Sequence, residues 1–157
     1  EIHRGSMYDT FGDKHSLYLE ALEYYRERAY QSYVELFESV ESPYDAIKRL
    51  LYSMVEPMKS RSRQRGCFIN NAMVECATDP QVAMITSKNS TLIISLLSTM
   101  IIKAQQQNEI RADVNAEWLA QFIFTTMQGM KVMSKNGASE NMLKNIVDVT
   151  LLALKSN

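Results

Sequence analysis

Four helix starts are written into this chain in one grammar, and together they leave room for little but helices. Ser42-Pro43, Asp79-Pro80, Asn115 and Ser139 each put a short side-chain acceptor ahead of an apolar run. Such a residue accepts from the free N–H groups of a first helical turn. A proline at the first helical position lacks an N–H that would have no partner in the helix anyway. Between these starts, apolar residues recur at threes and fours. Only 5 Gly and 3 Pro punctuate the 157 residues, too few for a turn-rich β architecture. No segment alternates convincingly, and there is no internal repeat or low-complexity tract. The expectation is an all-α chain of about six helices.

The first helix is expected from Asp13 or Lys14 to about Val40. Its stripe is Tyr18, Leu22, Tyr25, Ala29, Tyr33, Leu36 and Val40, with Glu20, Glu23, Arg26 and Glu27 on other faces. A second, capped by Ser42, carries Ile47, Leu50, Leu51, Met54, Val55 and Met58, and Pro57 should kink or end it. Gly66 opens a short helix bearing Cys67, Phe68, Ile69, Ala72, Met73 and Cys76. The helix from Asp79 carries Asn89 on its apolar stripe and fades at Gln105–Asn108, with Glu109–Val114 as connector. Asn115 caps a helix with Leu119, Phe122, Ile123, Met127, Met130 and Met133 on one side. Asn136-Gly137 closes it, as a glycine just past a helix end should. Ser139 caps the last helix, from Glu140 to about Lys155.

Composition narrows the function classes. With 46% apolar residues and a net charge of −1, this is an ordinary globular chain. A bare nucleic-acid-binding domain is usually basic, so most of the chain does something else. The apolar stretch Thr91–Ile102 is too short to span a bilayer, and no signal peptide opens the chain, so no membrane partner is expected and the default address is cytoplasmic. Lys59–Arg65 holds four cations in seven residues and reads as a solvated loop or an anion site. Cys67 and Cys76 would point to opposite faces of one helix, and neither has a histidine nearby, so no metal site is expected. They read as half-buried thiols or as redox sensors. No Glu-x-x-His pair and no Gly-rich phosphate loop occurs, His15 reads as a surface residue, and no catalytic residue or cofactor is assigned.

The opening residues carry a more specific signal. Gly5, Ser6, Met7, Tyr8, Phe11, Gly12 and Lys14 fall in a fixed register just ahead of the long first helix. This stretch resembles the recognition helix and exit turn of a tetracycline-repressor (TetR/AcrR) type helix-turn-helix regulator. Arg65–Ala72 with its Gly-Cys pair, Asp79-Pro80, and Asn108–Asp113, where many members carry Gly at position 108, extend the resemblance over the chain.

The resemblance implies a remnant of the DNA-binding domain at residues 1–13, with earlier helices outside the chain. It implies an effector-binding and dimerisation domain at 14–157. His3, Arg4 and Ser6 would reach base edges or phosphates of operator DNA, Tyr8 and Thr10 would donate to phosphates, and Lys14 would meet the DNA backbone at a helix start. The expected effector pocket takes Tyr25, Phe68, Asn71, Met73, Asn89, Ile93, Trp118 and Phe122, an apolar lining with few charges that suits a small, largely apolar ligand. The last two helices carry apolar residues off their main stripes. Phe124, Gln128, Gly129, Met142, Ile146, Val149 and Ala153 are therefore expected at a homodimer interface. The function expected is a ligand-responsive transcriptional regulator, in its commonest form a repressor. The alternative is a helical ligand carrier or adaptor without DNA binding.

Overall fold

The computed structural model describes residues 12–55 and 66–155. Among these residues there are six helices and no strand: α1 Lys14–Glu38, α2 Pro43–Ser53, α3 Phe68–Glu75, α4 Pro80–Gln106, α5 Ala116–Lys135 and α6 Glu140–Leu154. His3, Arg4, Ser6, Tyr8 and Thr10, the expected kink at Pro57 and the Lys59–Arg65 run lie outside the described residues.

Each expected cap is made. Ser42 Oγ accepts from Asp45 N at 3.0 Å, Asp79 Oδ1 from Gln81 N at 2.9 Å, Asn115 Oδ1 from Glu117 N at 2.8 Å and Ser139 Oγ from Met142 N at 3.2 Å. Asp13 caps α1 through Ser16 N at 2.7 Å, and this bond holds its carboxyl below the usual range. Only α3 starts without a side-chain cap, at Cys67. After α4, Asn108 takes φ 58°, the left-handed region that the short, polar asparagine tolerates better than most side chains.

α4 is the spine. It packs against α1, α2, α3 and α5. Its length and apolar content match a membrane span, the one such helix among the described residues. Its Val82, Ile85, Ile93, Leu97, Met100, Ile101 and Ala104 are nevertheless buried inside the fold. They divide between two clusters. The larger joins α2, α4, α5 and α6 around Ile47, Leu51, Leu97, Ile101, Ile123 and Leu143. The smaller joins α1, α3 and the start of α4 through Leu22, Ile69, Ala72, Val82 and Ile85.

The α1 stripe departs from the expectation. Of its apolar residues only Leu22 and Phe37 are buried, and Tyr25 is 38% exposed. Arg26, placed on a polar face by its spacing, is 5% exposed. A buried guanidinium must be neutralised. Glu23 does this with two contacts of 2.8 Å, Glu27 adds one of 3.3 Å, and Lys88 reaches across from α4 to Glu23 at 2.9 Å. These cations lower the Glu23 carboxyl to about 2, chiefly through the Arg26 hydrogen bond.

Candidate functional site

Between the two clusters the helices part around a cavity of about 620 Å³, within the usual range for small-molecule sites of roughly 300–1,000 Å³. α1 supplies Tyr25, Ala29 and Tyr33, and the end of α2 supplies Ser53 and Met54. The α3 wall runs from Gly66 to Asn71. α4 contributes Asn89 and Ile93, and α5 contributes Phe124, Met127, Met130, Lys131 and Ser134. Most of this lining is apolar. Phe68 meets the edges of Tyr18 and Tyr25 at ring-centre distances of 5.4 and 5.7 Å, both T-shaped, an arrangement that suits the ring quadrupoles.

The polar groups are few and mostly neutral. Tyr25 Oη contacts Cys67 Sγ at 3.9 Å, and burial and then the neighbouring thiol push the phenol up to about 12, so it stays protonated at neutral pH. Asn70 Nδ2 donates to the Gln128 carbonyl at 3.3 Å, while its Oδ1 is buried without a hydrogen-bond partner among the described residues. Asn89 is 7% exposed and lines the cavity. Lys131 Nζ donates to Gln128 Oε1 at 3.2 Å and Tyr33 Oη at 3.4 Å. Gly66 has φ 67°, and a Cβ there would stand 2.9 Å from Lys135 Cδ, so glycine fits this corner on both counts.

Five of the eight residues expected at a pocket line this cavity: Tyr25, Phe68, Asn71, Asn89 and Ile93. Three do not. Met73 is half-buried on α3, Trp118 is 67% exposed and Phe122 is 44% exposed. α5 has a single inward arc, and Leu119, Ile123, Met127 and Met130 occupy it. Trp118 and Phe122, four residues apart, share the opposite side. Sequence reasoning missed Tyr33, Asn70 and Lys131. Lys131 follows Phe124 by seven residues and Met127 by four, a helical phase that was available as a signal.

Phe124 and Gln128, expected at a dimer interface, are both half-buried. Phe124 lines the cavity and packs on the larger cluster, and Gln128 turns to Lys131 at the cavity wall. Phe124 borders the inward arc of α5, and half-buried Gln128 stands on the flank between that arc and the outer face. The outer face carries Trp118 and Phe122 from α5, and Met142, Val149 and Leu152 from α6, all exposed. A shallow groove between the two helices includes Phe122, Met142, Ile146 and Val149. Gly129 and Ala153 are exposed too, and a Cβ on Gly129 would touch nothing within 4 Å.

Two further features lie toward the start of the chain. Lys14 is exposed as the first residue of α1. Next to it, His15 Nε2 meets Asp79 Oδ2 at 2.5 Å, tying the start of α1 to the start of α4. This contact is the first cause of a lowered Asp79 carboxyl. Cys67 and Cys76 flank α3 and are both free and half-buried, with Tyr18 Oη 3.7 Å from Cys76 Sγ.

Comparison with known proteins places this geometry. The family profile described as "Tetracyclin repressor-like, C-terminal domain" matches residues 43–149, more than half of the chain. The uncharacterized HTH-type transcriptional regulator YezE of Bacillus subtilis (strain 168) is 27% identical over 98% of this chain and 80% of its own length. The HTH-type transcriptional repressor ComR of Escherichia coli (strain K12) is 25% identical over 93% of this chain and 70% of its own. A cysteine mutant of the TetR family transcriptional regulator CifR, solved in complex with 26-bp double-strand operator DNA, superposes with a TM-score of 0.83 at 24% identity. The match covers 98% of this chain and 80% of that one. Salmonella enterica GusR shares the fold with a TM-score of 0.71 at 20% identity, over 99% of this chain and 80% of its own. A matched family profile over the body of the chain, an all-α fold and helix-turn-helix relatives along nearly its whole length lead to one conclusion: the chain belongs to the tetracyclin repressor-like (TetR) family of transcriptional regulators.

Proposed function

We propose that this regulator releases operator DNA when a small, largely apolar molecule enters the cavity between the two clusters, and that it does so as a homodimer in the cytoplasm. The observation that carries this reading is the position of α1. Its middle forms one wall of the cavity through Tyr25, Ala29 and Tyr33, and its first residue, Lys14, closes in sequence the stretch that resembles a recognition helix and exit turn. A ligand that fits one spacing of α1 from α5 better than another shifts that spacing, by no more than its difference in affinity for the two. The DNA partner is carried over from the family and from the operator complexes of CifR.

The homodimer reading rests on the exposed apolar face of α5 and α6. Solvent contact with Trp118, Phe122, Met142, Val149 and Leu152 is unfavourable, and a two-fold axis would pair the face with itself. His3, Arg4, Ser6, Tyr8 and Thr10, with Lys14, remain the proposed DNA contacts.

The test is reciprocity. In the intact protein, operator affinity is measured by fluorescence anisotropy across effector concentrations, and effector affinity is measured with and without operator. Each ligand should weaken the other by the same factor. Asn89→Leu replaces the cavity amide by an apolar group and should raise the effector concentration needed for release by about tenfold or more. Release at the original concentration by a folded Asn89→Leu protein would place the effector elsewhere.

A further inference from the structure

We infer that the effector is a small organic anion, with a carboxylate that pairs with Lys131 and a neutral hydrogen-bonding group that meets Asn89. An apolar, largely aromatic body fills the space between them. The inference rests on the reading of this cavity as the effector site and narrows the chemistry that fills it.

The first argument is charge. Lys131 is the only charged residue among the described residues that line the cavity, and no Asp or Glu is among them. The chain holds 18 acidic residues, enough to have placed one here. Four other cations pair with carboxylates: Arg26 and Lys88 share Glu23, Arg111 takes Asp113 at 2.6 Å, and Lys135 lies 3.9 Å from Glu75. Lys131, half-buried, has two neutral oxygens instead, Gln128 Oε1 and Tyr33 Oη. An ammonium carries three donors, so one remains for a ligand. An anion placed there meets a positive charge in surroundings less polar than water, where the attraction is stronger than in solvent.

The second argument is the amide on α4. Asn89 is 7% exposed and its side chain forms part of the cavity wall. A ligand that displaces water from the cavity must offer this amide a hydrogen bond, because an amide stripped of water and left unpaired is unfavourable. The amide offers both a donor and an acceptor, so it accommodates a hydroxyl, an amide or a ring nitrogen on the ligand. Ile93, Phe124 and Met127 in the same lining offer apolar surface. The two polar contacts come from different helices, α4 and α5. One molecule that satisfies both therefore spans the cavity and sets the distance between its walls.

The experiment is ligand-observed NMR with the intact protein and matched probes: 3-phenyllactic acid, indole-3-acetic acid and 4-hydroxybenzoic acid, each beside its methyl ester. Lys131→Met keeps the length of the side chain and removes the charge, Lys131→Arg keeps the charge, and Ile93→Trp fills the cavity. The fold of each variant is checked by circular dichroism. The expected result is that at least one acid binds about tenfold or more tightly than its ester. Lys131→Met should abolish that preference, Lys131→Arg should retain it, and Ile93→Trp should prevent binding. If esters bind as well as acids and Ile93→Trp still blocks them, the cavity is the effector site but the anion inference is wrong. If no probe binds, or if Ile93→Trp leaves binding intact, the reading of the cavity itself falls and this inference falls with it.

Discussion

The two apolar clusters of this protein are built on different principles. The larger one, spread over α2, α4, α5 and α6, is held by close-packed side chains such as Ile123, Leu143 and Leu154, each with no exposed surface. The smaller one has five buried residues and leans on polar ties at its rim. His15 binds Asp79, Glu23 bridges Arg26 and Lys88, and Tyr18 meets Cys76. Asp13, Glu23 and Asp79 all have lowered carboxyl pKa values and all lie on this side. On the other side, among the described residues, only Asp113, paired with Arg111 at the surface, is shifted in the same way. Dispersion and burial give a rigid body, whereas a few ion pairs over a thin apolar seam give one that opens more easily. The cavity lies between the two, where a ligand can bias the smaller body against the larger.

The largest effect should separate the clusters directly. Ile123→Ala removes packing in the rigid body and should destabilise the protein by about 2–5 kcal/mol in denaturant unfolding. Leu22→Ala in the smaller cluster should cost roughly half of that or less, because this region can open locally before the whole unfolds. Native-state hydrogen exchange should then show faster exchange confined to α1 and α3. Equal losses with unchanged exchange would erase the distinction between the clusters.

A second test probes the outer face of the rigid body. Val149→Asp puts an unpaired charge on the exposed apolar face of α5 and α6. Self-association in sedimentation equilibrium should weaken about tenfold or more, some 1.4 kcal/mol. Unaltered assembly would move the dimer contact to another surface. Phe124→Asp should instead act on stability and the cavity, since that ring faces inward.

The smallest effect concerns acid. Glu23 has its folded pKa lowered from 4.5 to about 2, so the folded state holds fewer protons than the unfolded chain below pH 4.5. The stability this carboxylate contributes is present above pH 4.5 and is lost as pH falls toward 2. Glu23→Gln should flatten that part of the stability–pH curve, and the wild-type loss should register first as exchange in α1. A curve of unchanged slope would mean that the ion pairs do not hold the smaller body.

Much of the fold was legible because its signals are local. A cap needs only its own side chain and the next turn, so Ser42, Asp79, Asn115 and Ser139 marked their helices within a residue. The site was legible in part. Asn89 and Phe68 stood out as a polar residue on an apolar stripe and an aromatic in a short helix. Trp118 and Phe122 misled because an aromatic at helical spacing carries no mark of which neighbour it will meet.

What the sequence determined by itself was therefore the list of helices, their ends and a family resemblance, since each depends on interactions within a few residues. Tertiary structure decided three things. It turned Phe124 and Lys131 inward while Trp118 and Phe122 turned out, it buried Arg26 against Glu23, and it left the helices apart at one seam. Those outcomes depend on how far each helix is rotated against partners distant in the chain. Periodicity gives the width of an apolar face, and only packing against another helix tells one side of that face from the other.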